Sequence, residues 1–164
     1  MPAGSTYSTI ATSTLSTSAT DVTFSSISQI YTDLILVIDG ISSTAAGAGV
    51  SMQFNGDTGS NYWFTYMLGN GSSTSSGRQG NTFLNLGNIN ASRSVNRFNI
   101  QNYSNTTTFK SMIGRASLAN QYDVTYVGLW KSTSAITSIK VTIESGTYSF
   151  NSGSTFTLYG IASA

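Results

Sequence analysis

The stretch Val124-Thr125-Tyr126-Val127-Gly128-Leu129-Trp130 decides the fold class. Side chains along a β-strand point alternately to its two faces. Val124, Tyr126, Gly128 and Trp130 therefore share one face, and Thr125, Val127 and Leu129 share the other. The first set carries the two large rings, which either fill the core or lie on the surface as contacts. β-Branched and aromatic residues of this kind suit a pleated, half-buried surface and not a helix.

The same period of two extends outward in both directions. Toward the C-terminus, 136–144 puts Ile139, Val141 and Ile143 inward and Lys140, Thr142 and Glu144 outward, and 155–161 sets Phe156 and Leu158 against Tyr159 and Ile161. Toward the N-terminus, 109–118 separates Ser111 and Ile113 from Lys110, Met112 and Ala116, and 95–103 turns Phe98 and Ile100 inward. Further strands are expected at 81–86, 62–68, 50–54, 33–41, 22–25 and 7–15. The 33–41 stretch is apolar on both faces, as a central strand can be. In 7–15, Tyr7, Thr9, Ala11 and Ser13 share a face. No segment has the 3.6-residue period of an amphipathic helix. Roughly nine to eleven short strands at this spacing predict an all-β, two-sheet antiparallel sandwich, jelly-roll-like in kind. With no linker and no break in composition, 1–164 reads as a single β-sandwich domain.

Composition narrows the chemistry. The 164-residue chain has no cysteine and no histidine. That removes disulfides, thiolate metal sites and the commonest general base. Charged residues are 8% of the chain, against roughly 25% in an average soluble protein. The net charge of +1 gives no field to draw in nucleic acid or an anionic membrane. Yet 39% of residues are hydrophobic, with nine Tyr and eight Phe, so a packed core is affordable and disorder is not expected. No apolar run approaches the ~18 residues of a membrane helix, and 1–6 lacks the features of a signal peptide. Asn-x-Ser/Thr patterns at Asn70, Asn90, Asn102 and Asn105 are what a chain rich in these residues contains by chance. Several strands carry Ser or Thr outward where Lys or Glu would be usual. Either a neighbouring subunit covers that face, or threonine is there for its β-propensity.

The candidate sites are few. Asp21, Asp33, Asp39, Asp57, Asp123 and Glu144 are all the acids. A glycosidase needs two carboxylates flanking one bond, and a pair such as Asp57 with Asp123 would have to meet in space. No catalytic residue, cofactor site or metal site is expected. The segment Asn55-Gly-Asp-Thr-Gly-Ser-Asn61 has the alternating oxygens of a calcium loop, but Asp57 is its only charge. It reads as a tight turn in which Gly and Asn accept positive φ and Asp57 bonds its own backbone. The Gly/Ser-rich stretch 69–80, carrying Arg78, reads as a long loop: an exposed tip, an arm between subunits, or plain mobile filler. In the cluster Tyr62, Trp63, Phe64, Tyr66, alternation isolates Trp63 from the rest. Trp63, with Asn61 and Arg78 near it, is the expected interface or glycan contact.

Particular stretches carry a resemblance. Phe54-Asn-Gly-Asp-Thr-Gly-Ser-Asn-Tyr62, Tyr66-Met-Leu-Gly-Asn-Gly-Ser-Ser73, Gly128-Leu-Trp-Lys-Ser-Thr-Ser-Ala-Ile-Thr-Ser-Ile139 and Gly153-Ser-Thr-Phe-Thr-Leu-Tyr-Gly-Ile161 are four of them. Ser5-Thr-Tyr, Val22-Thr-Phe-Ser-Ser-Ile27 and Tyr31-Thr-Asp-Leu34 add to them. Together they span nearly the whole chain. They resemble small β-sandwich virion proteins of tailed phages, decoration or fibre-like proteins of the kind found in phages of cyanobacteria and other aquatic bacteria. The resemblance implies a structural protein on the particle surface, made in the host cytoplasm, and supplies no catalytic residues. The expected partners are other virion proteins of capsid or tail and further copies of the chain, a trimer being the working expectation. The leading expectation is a capsid decoration or head-fibre protein. The alternative is a tail-fibre or receptor-binding module for a host surface glycan.

Overall fold

The computed structural model describes residues 6–119, 121–144 and 146–162. Among them are no helix and twelve strands: β1 (Tyr7–Thr14), β2 (Asp21–Phe24), β3 (Asp33–Gly40), β4 (Ala48–Phe54), β5 (Tyr62–Gly69), β6 (Thr74–Asn81), β7 (Leu84–Ile89), β8 (Ser94–Gln101), β9 (Lys110–Leu118), β10 (Tyr122–Trp130), β11 (Ile139–Ile143) and β12 (Thr155–Ile161). They form two antiparallel sheets. The larger has eight strands in the order β1-β12-β3-β8-β9-β10-β5-β6, and the smaller has four in the order β2-β11-β4-β7. The all-β, two-sheet sandwich expected from the alternation is the observed fold.

The apolar halves of the strands meet between the sheets. Leu34, Leu36 and Ile38 of β3, Phe98 and Ile100 of β8, Val124, Tyr126 and Trp130 of β10, and Phe156 and Leu158 of β12 face inward from the larger sheet. Val50, Met52 and Phe54 of β4, Leu84 and Leu86 of β7, and Ile139, Val141 and Ile143 of β11 meet them from the smaller one. Each such side chain, fully buried, contributes about 1.5–3 kcal/mol. The faces assigned to β8, β9, β10, β11 and β12 from period two are the observed ones. One consequence is unusual. Lys110 lies on the inward face of β9 with Met112 and is only 1% exposed. Its ammonium donates to the carbonyls of Thr108 (2.7 Å) and Thr133 (3.2 Å), so the charge leaves water but keeps partners.

Three expected strand extents change. The stretch 69–80 is not a long loop. Residues 74–81 form β6, an edge strand paired along its whole length with β5. Its sequence, Thr-Ser-Ser-Gly-Arg-Gln-Gly-Asn, has no apolar residue, so periodicity could not announce it. Its glycines seat the aromatics opposite. A Cβ on Gly77 would lie 2.8 Å from the Tyr66 ring, and one on Gly80 3.0 Å from the Trp63 ring. Aromatic rings covering edge glycines across a strand pair stabilise an otherwise weak strand. Only 70–73 turns, with the Asn70 side-chain oxygen Oδ1 accepting from the backbone amides of Ser72 (3.0 Å) and Ser73 (2.7 Å). Second, the strand expected at 81–86 runs instead over Leu84–Ile89, because Asn81 still belongs to β6. Third, the strand expected over 136–144 begins at Ile139. Residues 136–138 spend their amides elsewhere: Ile136 on the Tyr103 carbonyl, Thr137 and Ser138 on the Asn55 side chain.

β1 pairs with β12, with a bulge between Thr9 and Ala11. The bulge breaks the face expected to hold Tyr7, Thr9, Ala11 and Ser13: Tyr7 and Thr9 stay exposed, and Ala11 packs against the core beside Ile10. The outward threonines of β1 form hydroxyl rungs with β12, Thr12 to Thr157 at 3.3 Å and Thr14 to Thr155 at 3.1 Å. Those pairs give the outward threonines a role beyond β-propensity.

Trp130 is 2% exposed and packs against Phe54 and Tyr62, with ring centroids 5.4 and 6.3 Å away. Trp130→Ala is therefore expected to cost about 3–5 kcal/mol, read from urea unfolding. A change within ~0.5 kcal/mol would mean the ring contributes as little as a surface residue.

Candidate functional site

Two places concentrate polar chemistry. The first is the β4–β5 turn. Asn55 and Gly56 adopt positive φ (53° and 69°), which permits the reversal after β4. Asp57 then turns its carboxylate inward. It accepts from the Gly59 amide (2.8 Å), the Asn61 side-chain amide (3.0 Å at the nearer oxygen) and the Trp130 indole N–H (2.7 Å). The Tyr62 hydroxyl donates to the Asp57 carbonyl at 3.0 Å and accepts from the Phe54 amide at 3.0 Å. Asn55 holds the 131–138 loop, donating to the Ala135 carbonyl at 2.7 Å and accepting from the Thr137 amide at 2.8 Å. This is the turn expected from the sequence, with Asp57 bonded to its own backbone. Its oxygens are committed to protein donors. Among the described residues no group of three or more acids is placed to hold a metal.

Burial pushes the Tyr62 phenol up to about 12. At Asp57 burial also pushes upward, but the hydrogen bonds from Trp130, Asn61 and Gly59 outweigh it and hold the carboxyl below its ordinary value. Asp57 and Asp123 do not meet. Asp57 sits against Trp130 at one end of β10, and Asp123 is near the other, roughly 24 Å along the strand.

The second place is the outer face of the larger sheet. Trp63 points there, opposite to Tyr62 and Phe64, as alternation requires. The Arg78 guanidinium lies 4.6 Å from its ring centroid and the Lys131 ammonium 5.3 Å. Trp63 and Arg78 are thus brought together as expected, across the β5–β6 pair. Asn61 is not part of that surface, because its amide is spent on Asp57. Lys131 was missed: it follows Trp130 and reaches Trp63 only because β10 and β5 are neighbours. Along the same face, Met67, Val127 and Ile113 are 70%, 52% and 46% exposed. Val127 lies directly opposite both Ile113 and Thr65. Arg97 of β8 lies directly opposite Arg115 of β9. Neither pairing was visible without the register.

No family model matches the chain, and no curated protein matches it. Among solved structures, the galectin LEC-6 of Caenorhabditis elegans is 10% identical over 93% of this chain and 96% of that one, with a TM-score of 0.36. At that score the likeness extends to neither family nor ligand.

The Asp57 contacts set an acid limit. Its carboxyl is lowered from 3.8, so its share of stability is fully present above that value and is lost as pH falls through the lower folded one. The urea midpoint is expected to drop below about pH 4. Asp57→Asn is expected to lower the midpoint at neutral pH and to flatten that acid limb. An acid limb equally steep in the variant would assign the effect to another carboxylate.

Proposed function

We propose that the chain is a non-enzymatic structural protein of a tailed-phage particle, carried on its surface as a capsid decoration or head-fibre protein and self-associating there. One observation carries the reading beyond the sequence resemblance. The outer face of the larger sheet is broad and rich in hydroxyls, and it leaves Met67, Val95, Ile113 and Val127 between 46% and 70% exposed. Exposed apolar side chains grouped on one face mark an interaction surface. The sheet edge β1 adds to it. Its eight residues carry no charge, the usual guard against pairing with another chain. In a shell of repeated copies such surfaces meet repeated partners.

A second reading, a tail-fibre or receptor-binding module for a host glycan, draws on Trp63. Its indole is half-buried, not core, and is bracketed by two cations that could also meet a ligand.

Cryo-EM of the assembled particle, with immunogold labelling of this chain, separates the two. Regularly spaced density over the head is the expected outcome. Density confined to the tail tip or fibres would establish the second reading instead, and Trp63→Ala should then abolish binding to host cells. Absence of the chain from purified particles would overturn both.

A further inference from the structure

Arg97 and Arg115 are two of only seven basic residues in the chain, and the fold sets them directly opposite each other on neighbouring strands. Opposed side chains in an antiparallel pair have Cβ atoms about 4.5–5.5 Å apart, and like charges in that relation destabilise the sheet. Among the described residues neither guanidinium has an ion pair or hydrogen bond. The acids that face them are already engaged. Asp123, diagonal to Arg115 across β9–β10, accepts from the Ser117 hydroxyl at 2.6 Å. Asp39, one strand over from β8, is paired with Arg93 at 2.8 Å.

The two arginines line a shallow depression of about 340 Å³ with Asn99, Ile113 and Thr125. Arg97 also borders a second depression of about 350 Å³, beside Tyr7, Ile35, Val37 and Tyr159. The two join at Arg97 into a track running across the strands. Along it stand the phenol rings of β1 and β12, then Ile35 and Val37 of β3, then Arg97 and Asn99 of β8, Arg115 of β9 and Thr125 of β10.

We infer that this track binds a carboxylate-bearing saccharide, with the carboxylate at Arg97 and Arg115 and a neighbouring ring against Tyr159. Guanidinium forks match planar carboxylates and hydrogen-bond them in pairs. An anion between the two arginines also removes their mutual repulsion. Aromatic rings with adjacent amide and hydroxyl groups suit a polyhydroxylated ring, which has apolar faces and polar edges. Each depression is shallow and open, a place for one or two sugar rings on the sheet face and not the span of a protein interface. The site stands apart from Trp63 and does not depend on where the chain is carried on a particle.

The test is an NMR titration of the full chain with two acidic probes, hexagalacturonate and an oligomer of sialic acid, each against its methyl ester. Expected are shifts confined to the track with at least one acid, weakened about tenfold or more by esterification and by Arg97→Gln or Arg115→Gln. Both variants should keep the thermal midpoint or raise it, since each removes a like charge. Lys140→Gln, which changes the net charge equally but lies on the smaller sheet against Asp21, should bind as the native chain does. Failure of both acids to bind, equal binding of acid and ester, or equal loss in Lys140→Gln would overturn the proposal. So would a poly-glutamate peptide that binds the track as well as the sugars, which would make it an acidic-protein contact.

Discussion

The hydrogen bond from the buried Trp130 indole to the Asp57 carboxylate, 2.7 Å long, is the contact on which much of the sandwich depends. A large ring in the core contributes through the surface it removes from water, but its N–H must find an acceptor there. The acceptor comes from a turn, not a strand. That turn leaves β4 in the smaller sheet and enters β5 in the larger one, so holding Asp57 against Trp130 also holds the two sheets together at that end. Tyr62 and Asn61 are tied to the same carboxylate or its backbone. Asn55, two residues earlier, ties down the loop that follows Trp130. Two short polar side chains thus organise a corner where apolar packing alone has no directional preference.

With the core closed that way, the chain's scarce charges are free for other uses, and several are not used as surface charges usually are. Lys110 is enclosed and donates to carbonyls. Arg78 and Lys131 lie on Trp63. Arg97 and Arg115 face each other. Between these charges the outer face of the larger sheet is hydroxyl and aliphatic, and those parts carry little desolvation cost if covered. It is a face suited to contact, whether with other copies, a shell or a saccharide.

The candidate site was legible in part, and particular residues show why. Trp63 could be singled out because alternation needs only neighbours in sequence. Arg78 came with it by proximity along the chain, although the strand carrying it went unrecognised, because glycine and serine give no hydrophobic period. Asn61 was named for its nearness to Trp63 and is spent on Asp57 instead. A side-chain amide follows the nearest strong acceptor, and nearness in sequence does not reveal that. Lys131, Arg97 and Arg115 acquire their surroundings through strand pairing, which no local pattern reports.

The sequence by itself determined the fold class, the strands that carry apolar alternation, which residues share a face in most of them, and the turn at Asn55–Asn61. All of these follow from interactions between residues a few positions apart and from the demand that apolar faces leave water. Only the tertiary structure decided the order of strands within the sheets, the strand character of Thr74–Asn81, the partner of Trp130's indole, and the meeting of Arg97 with Arg115. Each of these depends on register between segments far apart in the chain. A shift of one residue in register would send those side chains to opposite faces.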